Sequence, residues 1–486
     1  MTEQPPFRAI VVGAGLLGLT AAHILAKTDM DFVVLEQHDD LMPEIGSLLT
    51  LLPSTFRVLD QLDVLEAVEP IITRVVGGVF MAADDARVFR KENLGRVVEM
   101  NHGYGIGIVH RPRYVEALYN NLPEAAKARV HVQKRVVRID VAVDGVAVHC
   151  ADGTVERGSI VIGADGVHSR TRQTMQSLAK GLPAETEQPS PFVTTYRLLF
   201  GNLPAIQDLP AGKNFECAAD GVSTQIVTGV TQAWFAVYEK LATPTSKRLR
   251  WTEDDKKEVL QRWGKLHMAP GYTVENTYAR RSGDVGLINL EEGLLDTWAW
   301  KRIVLVGDAV RKLEPHAGLG YNSGVTDLVV LINGLRRLSS NRQGRAPPTT
   351  DDVEALFHAY QAQRMEDTPA IVAMSERRAR MCAWLGVKDW FMATLVVPVF
   401  PLGEYSVNKI LGPIISRAPV LDWLDEKHLP ARGMPYVHHP RTETREKLVY
   451  SAGTPAPASQ SRLPLLTGTL VIAALATVGL RFYRRI

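Results

Sequence analysis

Cysteine is scarce. The 486 residues hold three, Cys150, Cys217 and Cys382, far apart and without a CxxC pair, which excludes a disulfide framework and the usual zinc signatures. A reducing compartment suits them, as free thiols that pack like small hydrophobes. An excess of either charge is lacking too: Lys plus Arg total 55 against 53 Asp plus Glu, a net charge of +2. With no long block of like charge the chain offers no arm for a polyanion, and nucleic acid is not an expected partner. The amino terminus, Met-Thr-Glu-Gln-Pro-Pro, has no basic region of the kind that opens a signal peptide, so the body is expected in the cytosol. No internal repeat is visible, and low complexity is confined to the Ala/Pro/Ser-rich stretch 451–462, SAGTPAPASQSR. Hydrophobic residues at 46% and charged ones at 22% fit an ordinary folded chain and argue against wholesale disorder and against a polytopic membrane bundle.

What is present is patterned. The length exceeds the roughly 250–300 residues at which one core stops growing, so two or more lobes are expected. Residues 7–12 are a short apolar run ending in a glycine loop, 16–26 have helical periodicity and 31–35 are a second apolar run, together a βαβ unit. Further strands are expected at 130–133, 136–141, 146–150 and 159–162, with Asp144-Gly145 and Asp152-Gly153 as turns. Alternating stretches such as 192–200 and 224–230 read as a separate antiparallel sheet. Residues 302–306 return to a short buried strand, 322–338 read as a helix, and from Asp351 onward the pattern is helical. The stretch 390–402, WFMATLVVPVFPL, is too short to span a membrane and reads as buried or membrane-grazing. Residues 463–480 run for eighteen positions without a charge and are followed by Arg481, Arg484 and Arg485. That is either a tail anchor, freed by the 451–462 linker, or an apolar helix docked on the body.

Three motifs carry chemistry. Gly13-Ala14-Gly15-Leu16-Leu17-Gly18 is GxGxxG between a strand and a helix, and Glu36 closes the second strand. Gly13 permits the tight turn, Gly15 lets the backbone approach a pyrophosphate, Gly18 lets helix and strand pack, and Glu36 is placed for ribose hydroxyls. Gly163-Ala164-Asp165-Gly166-Val167-His168-Ser169-Arg170-Thr171-Arg172 follows the 159–162 strand. Asp165 is either a direct ligand or a carboxylate that fixes its own turn. Gly307-Asp308 leads into Pro315-His316-Ala317-Gly318-Leu319-Gly320. There Asp308 can accept a hydroxyl, and Gly318 and Gly320 let backbone amides approach a ligand at a helix start.

In this order the three motifs resemble the GxGxxG, GxDGxxSxxR and GD(x)nPxxGxG motifs of flavoprotein monooxygenases of the para-hydroxybenzoate hydroxylase type, over residues 8 to about 340. The resemblance implies FAD held without a covalent link, NADPH or NADH as a transient reductant because no second GxGxxG exists, dioxygen as oxidant, and no metal. It also implies that Arg111 opens a helix beneath the flavin, and that Thr50 and Tyr321 make backbone contacts where glycine and alanine are commoner. Arg311 departs from the family's usual histidine, and Trp298 and Trp300 read as packing. The fold implied is α/β. A Rossmann-like FAD lobe takes 1–180, with an excursion to the second lobe near 70–100, and 291–340. A β-sheet substrate lobe takes 181–290, followed by a helical region over 341–450, the linker 451–462 and a membrane helix over 463–480.

The motifs, Thr194-Thr195-Tyr196-Arg197, the 317–324 loop and the apolar tail together resemble a fungal, membrane-associated branch of meroterpenoid and indole-diterpene biosynthesis. That branch implies epoxidation of a prenyl, farnesyl-like chain, with a membrane terpene cyclase as pathway neighbour and an endoplasmic-reticulum membrane location with the body in the cytosol. It also makes Arg197 a substrate-orienting candidate, with Tyr196 and Tyr238 beside it. Phenol hydroxylation and flavoprotein oxidase activity are the alternatives, and a non-catalytic membrane adaptor that keeps the nucleotide fold is a third.

Overall fold

A computed structural model describes residues 7–42, 48–340, 347–397 and 402–441. The chain divides into two units, 1–442 and 443–486, and every described residue belongs to the first. The linker 451–462 and the apolar stretch 463–480 lie outside the described residues. Among the described residues no helix is long and apolar enough to cross a membrane. In the stretch 390–402, the described part 390–397 is largely half-buried, with Leu395 38% exposed. It is therefore not the interior segment its composition allows.

A six-stranded sheet runs in the order Ala299–Trp300, Ile303–Leu305, Ile160–Gly163, Arg8–Val12, Asp31–Leu35 and Val130–His131. All its pairings are parallel except the first. Strands covered on both faces need apolar residues at every position, and Ala9, Ile10, Val11, Val33, Val34, Val161 and Ile162 are fully or almost fully buried. The helices Leu16–Leu25 and Gly320–Ser340 add Leu19, Ile24, Leu328 and Leu331 to the same core. The strands Arg8–Val12, Ile160–Gly163 and Ile303–Leu305 each end at one of the three motifs. Adjacent parallel strands thus bring loops far apart in sequence to one edge of the sheet.

An eight-stranded sheet supplies the second layer, in the order Arg311–Lys312, Ser282–Leu294, Val193–Pro204, Gln232–Thr245, Val222–Thr228, Lys213–Ala219, Gly77–Ala82 and Val88–Glu92. Successive side chains on a strand face opposite ways. Tyr196, Leu198 and Phe200 therefore share one face with Ala236, Tyr238 and Leu290, while Leu199 and Leu203 pack with Phe235, Val237 and Val259 on the other. At one edge Gly293 and Leu294 pair with Lys312 and Arg311, so the segment after Gly307-Asp308 is itself a strand of this sheet.

Candidate active site

The first glycine loop is dictated by contacts that leave no room for a side chain. Gly13 has φ +99°, and a Cβ there would lie 2.8 Å from the Ala164 carbonyl oxygen; one on Gly18 would lie 1.8 Å from the Gly13 oxygen. A Cβ on Gly15 meets nothing within 4 Å. Gly15 faces a cavity of about 720 Å³ that runs from the glycine loops to the eight-stranded sheet. The amino terminus of Leu16–Leu25 carries no acidic residue in its first turn, so its positive end is free to meet an anion. Glu36 lines the same cavity. Its Oε2 accepts from the Ala14 amide at 2.8 Å and its Oε1 from the His38 amide at 3.0 Å.

The second motif is spent on its own architecture. Asp165 Oδ1 accepts from the Ser169 hydroxyl at 2.5 Å, and Oδ2 accepts from the Thr171 amide at 2.9 Å and its hydroxyl at 3.0 Å. These bonds describe a turn-fixing carboxylate, and burial raises its pKa against their pull. Ser169 Oγ in turn caps Arg170–Ala179, accepting from the Arg172 amide. The Arg172 guanidinium donates to the carbonyls of Val167 and Ala309, tying this loop to the third motif.

In the third motif Asp308 borders the cavity and pairs with Lys312 at 2.5 Å. Burial disfavours the Lys312 charge, but Asp308 together with Glu291 and Glu314 more than offsets it, so its pKa is raised. Arg111 is the first residue of Arg111–Asn120 and lines the cavity. Burial lowers its pKa, with only the Asp308 charge opposing. Gly318, with φ +64°, approaches Thr50 so closely that a Cβ would lie 2.7 Å from the threonine Cβ. The Thr50 carbonyl accepts from Asn322 Nδ2, which locks the loops together. Tyr321 borders the cavity at the start of Gly320–Ser340, but its hydroxyl is 2.9 Å from Thr20 Oγ1 and 3.2 Å from Tyr114 Oη, inside the lobe. Its side chain is therefore structural.

Arg311 has a clear role in place of the histidine. Its guanidinium donates to Ser323 and, at 2.9 Å, to Asp327 Oδ2, which also accepts from the Gly307 amide; Arg364 holds Asp327 Oδ1. This buried cluster fixes the Gly307 turn from behind. Trp298 is fully buried with its indole N–H donating to the Leu295 carbonyl, a packing residue.

The sheet floor corrects one expectation. Arg197 faces away from the cavity: its Nε donates to Glu239 at 2.7 Å, and its guanidinium lies 3.7 Å from Glu258 on the helix Glu253–Trp263. Tyr196 is on the cavity side but set behind its wall, fully buried with no partner for its hydroxyl among the described residues. Tyr238 does line the cavity and donates to Gln225 Oε1 at 3.0 Å. The wall is largely apolar, with Ile108, Leu198, Phe200, Val227, Trp234 and Leu290 among its members, and Asn214 and Gln225 as its polar ones beside Tyr238. Two residues escaped sequence reasoning. His316 lines the cavity, its ring 3.9 Å from that of Tyr238, and Glu314 lies buried beside it.

The residues at the loop end fit a flavin dinucleotide: open space at Gly15, a helix amino terminus, a carboxylate at Glu36, and a half-buried guanidinium at Arg111 with no hydrogen-bond partner among the described residues. A family model described as "FAD binding domain" matches residues 7–372. The chain belongs to that family. Curated relatives include the FAD-dependent monooxygenase srdH of Neurospora crassa, 31% identical over 85% of this chain and 94% of the relative. Others are nodM of Hypoxylon pulicicidum, 30% identical over 87% and 90%, and ausM of Aspergillus calidoustus, 30% over 86% and 88%. Among solved structures, HpxO of Klebsiella pneumoniae complexed with FAD and uric acid has a TM-score of 0.68 at 20% identity, covering 84% of this chain and 97% of that one. A salicylate hydroxylase substrate complex has a TM-score of 0.63 at 17% identity, covering 86% and 99%. The structural likenesses establish the fold. This FAD-dependent monooxygenase, of the para-hydroxybenzoate hydroxylase type, groups by sequence with fungal enzymes of secondary metabolism.

Proposed function

We propose that this monooxygenase epoxidises the prenyl, farnesyl-like chain of a terpenoid or meroterpenoid intermediate ahead of cyclisation, using NADPH and O2. The observation that carries the reading is the apolar wall of Ile108, Leu198, Phe200, Val227, Trp234 and Leu290, with Arg197 turned to the far face of the sheet. An isolated double bond needs no charged group to activate it. It needs orientation and exclusion of water, which a packed hydrocarbon surface supplies. When bound, FAD supplies the activation of dioxygen after reduction by the nicotinamide. Glu36, Arg111, Asp308 and the backbone at Gly13, Gly15, Gly318 and Gly320 would hold it. Ring hydroxylation is the second reading, favoured by the polar corner around His316 and Tyr238.

The test is turnover of a farnesylated phenol with NADPH and isotopically labelled dioxygen. One labelled atom on the chain supports epoxidation, and one on the ring supports hydroxylation. Peroxide with no label in product marks an oxidase and sinks both. We further propose a single-pass anchor at 463–480 in the endoplasmic reticulum, with the body in the cytosol and a membrane terpene cyclase as neighbour. The support is the eighteen uncharged residues behind the Ala/Pro/Ser-rich stretch 451–462. Deleting 451–486 should move the enzyme to the soluble fraction with FAD retained, and a truncated protein that still pellets under alkaline carbonate refutes the anchor.

A further inference from the structure

The floor of the cavity is three rungs of the eight-stranded sheet. Register puts Leu198 opposite Tyr238, Phe200 opposite Ala236 and Asn202 opposite Trp234, with Gln225 on the other side of Ala236 and Val227 on the other side of Trp234. Along Gln232–Thr245 the side chains on the cavity face are therefore Trp234, Ala236 and Tyr238. Large, small, large makes a trough at Ala236 between two aromatic ends. Tyr238 lies under the Pro315–Ala317 turn, its ring 3.9 Å from that of His316, so this end adjoins the glycine loops of the flavin site. Trp234 stands at the other end, about 13 Å along the strand at roughly 3.3 Å per residue. That far end is closed. Trp234, Val227 and Ile108 are 6%, 5% and 2% exposed and pack together, with Leu48 and Val75 against them. Behind the indole is a turn, where the Gly229 amide donates to the Gln232 carbonyl at 2.8 Å and Val230 is exposed. A Cβ on Gly229 would lie 3.0 Å from the indole Cζ3 and 3.2 Å from its Cη2, so the ring is seated against that turn. The indole N–H has no hydrogen-bond partner among the described residues. Leucine or phenylalanine would complete an apolar wall without burying an unpaired donor. What tryptophan adds at this place is volume, and volume at the blind end of a trough limits length.

We propose that Trp234 is the stop that sets the length of hydrocarbon chain the pocket accepts. The proposal rests on the reading of the cavity as the pocket of an enzyme that oxidises a prenyl chain, and it deepens that reading from a chain to a chain of fixed length. The span from the glycine loops to the indole is set by strand register and by the seat at Gly229, and a packed interior does not stretch to take one more unit. A longer chain overpacks the closed end, and a shorter one leaves part of it empty. Both penalties hold whichever end of the chain lies against the indole. Truncating the side chain opens room toward Gly229. An indole has more atoms than a five-carbon isoprene unit, so the room left after partial collapse suits one unit.

The experiment titrates 2-geranylphenol, 2-farnesylphenol and 2-geranylgeranylphenol into the FAD-loaded enzyme and reads each dissociation constant from the visible spectrum of the bound flavin. The wild type should bind the farnesyl compound best and the geranylgeranyl compound about tenfold or more weaker, the cost of overpacking a closed end. In Trp234→Ala the order of those two should reverse. Trp234→Phe, a smaller cut that keeps the wall, should narrow the gap to within about threefold. Comparing variants in one detergent cancels the differing solubility of the probes, and flavin content with Tm reports the folding of each. A wild type that takes the geranylgeranyl compound as well as the farnesyl one, or an order and gap unchanged in both variants, overturns the stop. If none of the three perturbs the flavin, the prenyl-pocket reading falls and the stop falls with it. Length selection that follows Trp234, with no labelled oxygen in the product from any of the three, upholds the stop and refutes the oxidation of such chains.

Discussion

The two ends of the cavity are built on different principles. At the cofactor end the backbone is the working surface: Gly13, Gly18 and Gly318 are set by close approach or positive φ, Gly15 leaves open space toward the cavity, and the side chains nearby, Asp165, Arg172 and Asn322, bond to loops. At the substrate end the working surface is side chains drawn from strands as distant in sequence as Ile108 and Leu290. A backbone surface needs particular residues at fixed spacing, whereas a side-chain wall needs hydrophobicity and volume, which many residues satisfy. One end therefore tolerates almost no substitution, and the other is free to change its occupant.

The sharpest test of that contrast is Gly18→Ala. The added methyl would lie 1.8 Å from the Gly13 oxygen, a backbone collision, so the variant should be purified colourless, with no flavin released on denaturation. A yellow Gly18→Ala protein would break the comparison at its strong end. Trp234→Ala at the opposite end should cost about 3–5 kcal/mol of stability, read from denaturant unfolding, and raise KM for a farnesylated substrate severalfold. FAD content at low temperature should stay as in the wild type. Arg111→Ala sits between these. Loss of a half-buried guanidinium should weaken FAD retention by about 1.5–3 kcal/mol, roughly tenfold to a hundredfold in the dissociation constant, with substrate KM little changed once FAD is saturating. Smallest of all should be Arg197→Gln. It removes the bond to Glu239 on the far face of the sheet, so Tm should fall while kcat/KM per folded molecule changes by less than about twofold. A large loss of kcat/KM in that variant would return Arg197 to the substrate.

The same contrast explains what could be read from the chain. The parallel strands, the helix after each motif and the position of Glu36 follow from spacing, because there the pattern is the structure. The resemblance names Arg197 together with its neighbour Tyr196 and assigns neither to a face; successive residues of a strand face opposite ways, and it is the pairing of the sheet that turns Arg197 from the cavity. The pairing of Val193–Pro204 is irregular between Thr194 and Tyr196, beyond the reach of alternation counted along the sequence. His316 and Glu314 sit at positions where the Gly307-Asp308 motif sets no residue type, so only the turn that folds them against Ser223 and Tyr238 distinguishes them. The signal available was a titratable pair flanking Pro315 inside a glycine loop. Tyr321 shows the reverse, a motif position whose backbone borders the cavity while its side chain belongs to the core.

The two-residue strand Arg311–Lys312 pairs with Gly293 and Leu294 at the edge of the substrate sheet, and Lys312 also holds Asp308. It is a splice between two frameworks, and a splice transmits load in both directions. A substrate that tightened the sheet would pull on the loop beside the flavin site, and a flavin that settled the loop would stiffen the sheet's edge. Thermodynamic reciprocity then makes the factor by which either molecule improves binding of the other the same in both directions. Flavin dissociation measured with and without a bound farnesyl compound would thus also give the factor by which bound flavin changes the affinity for that compound.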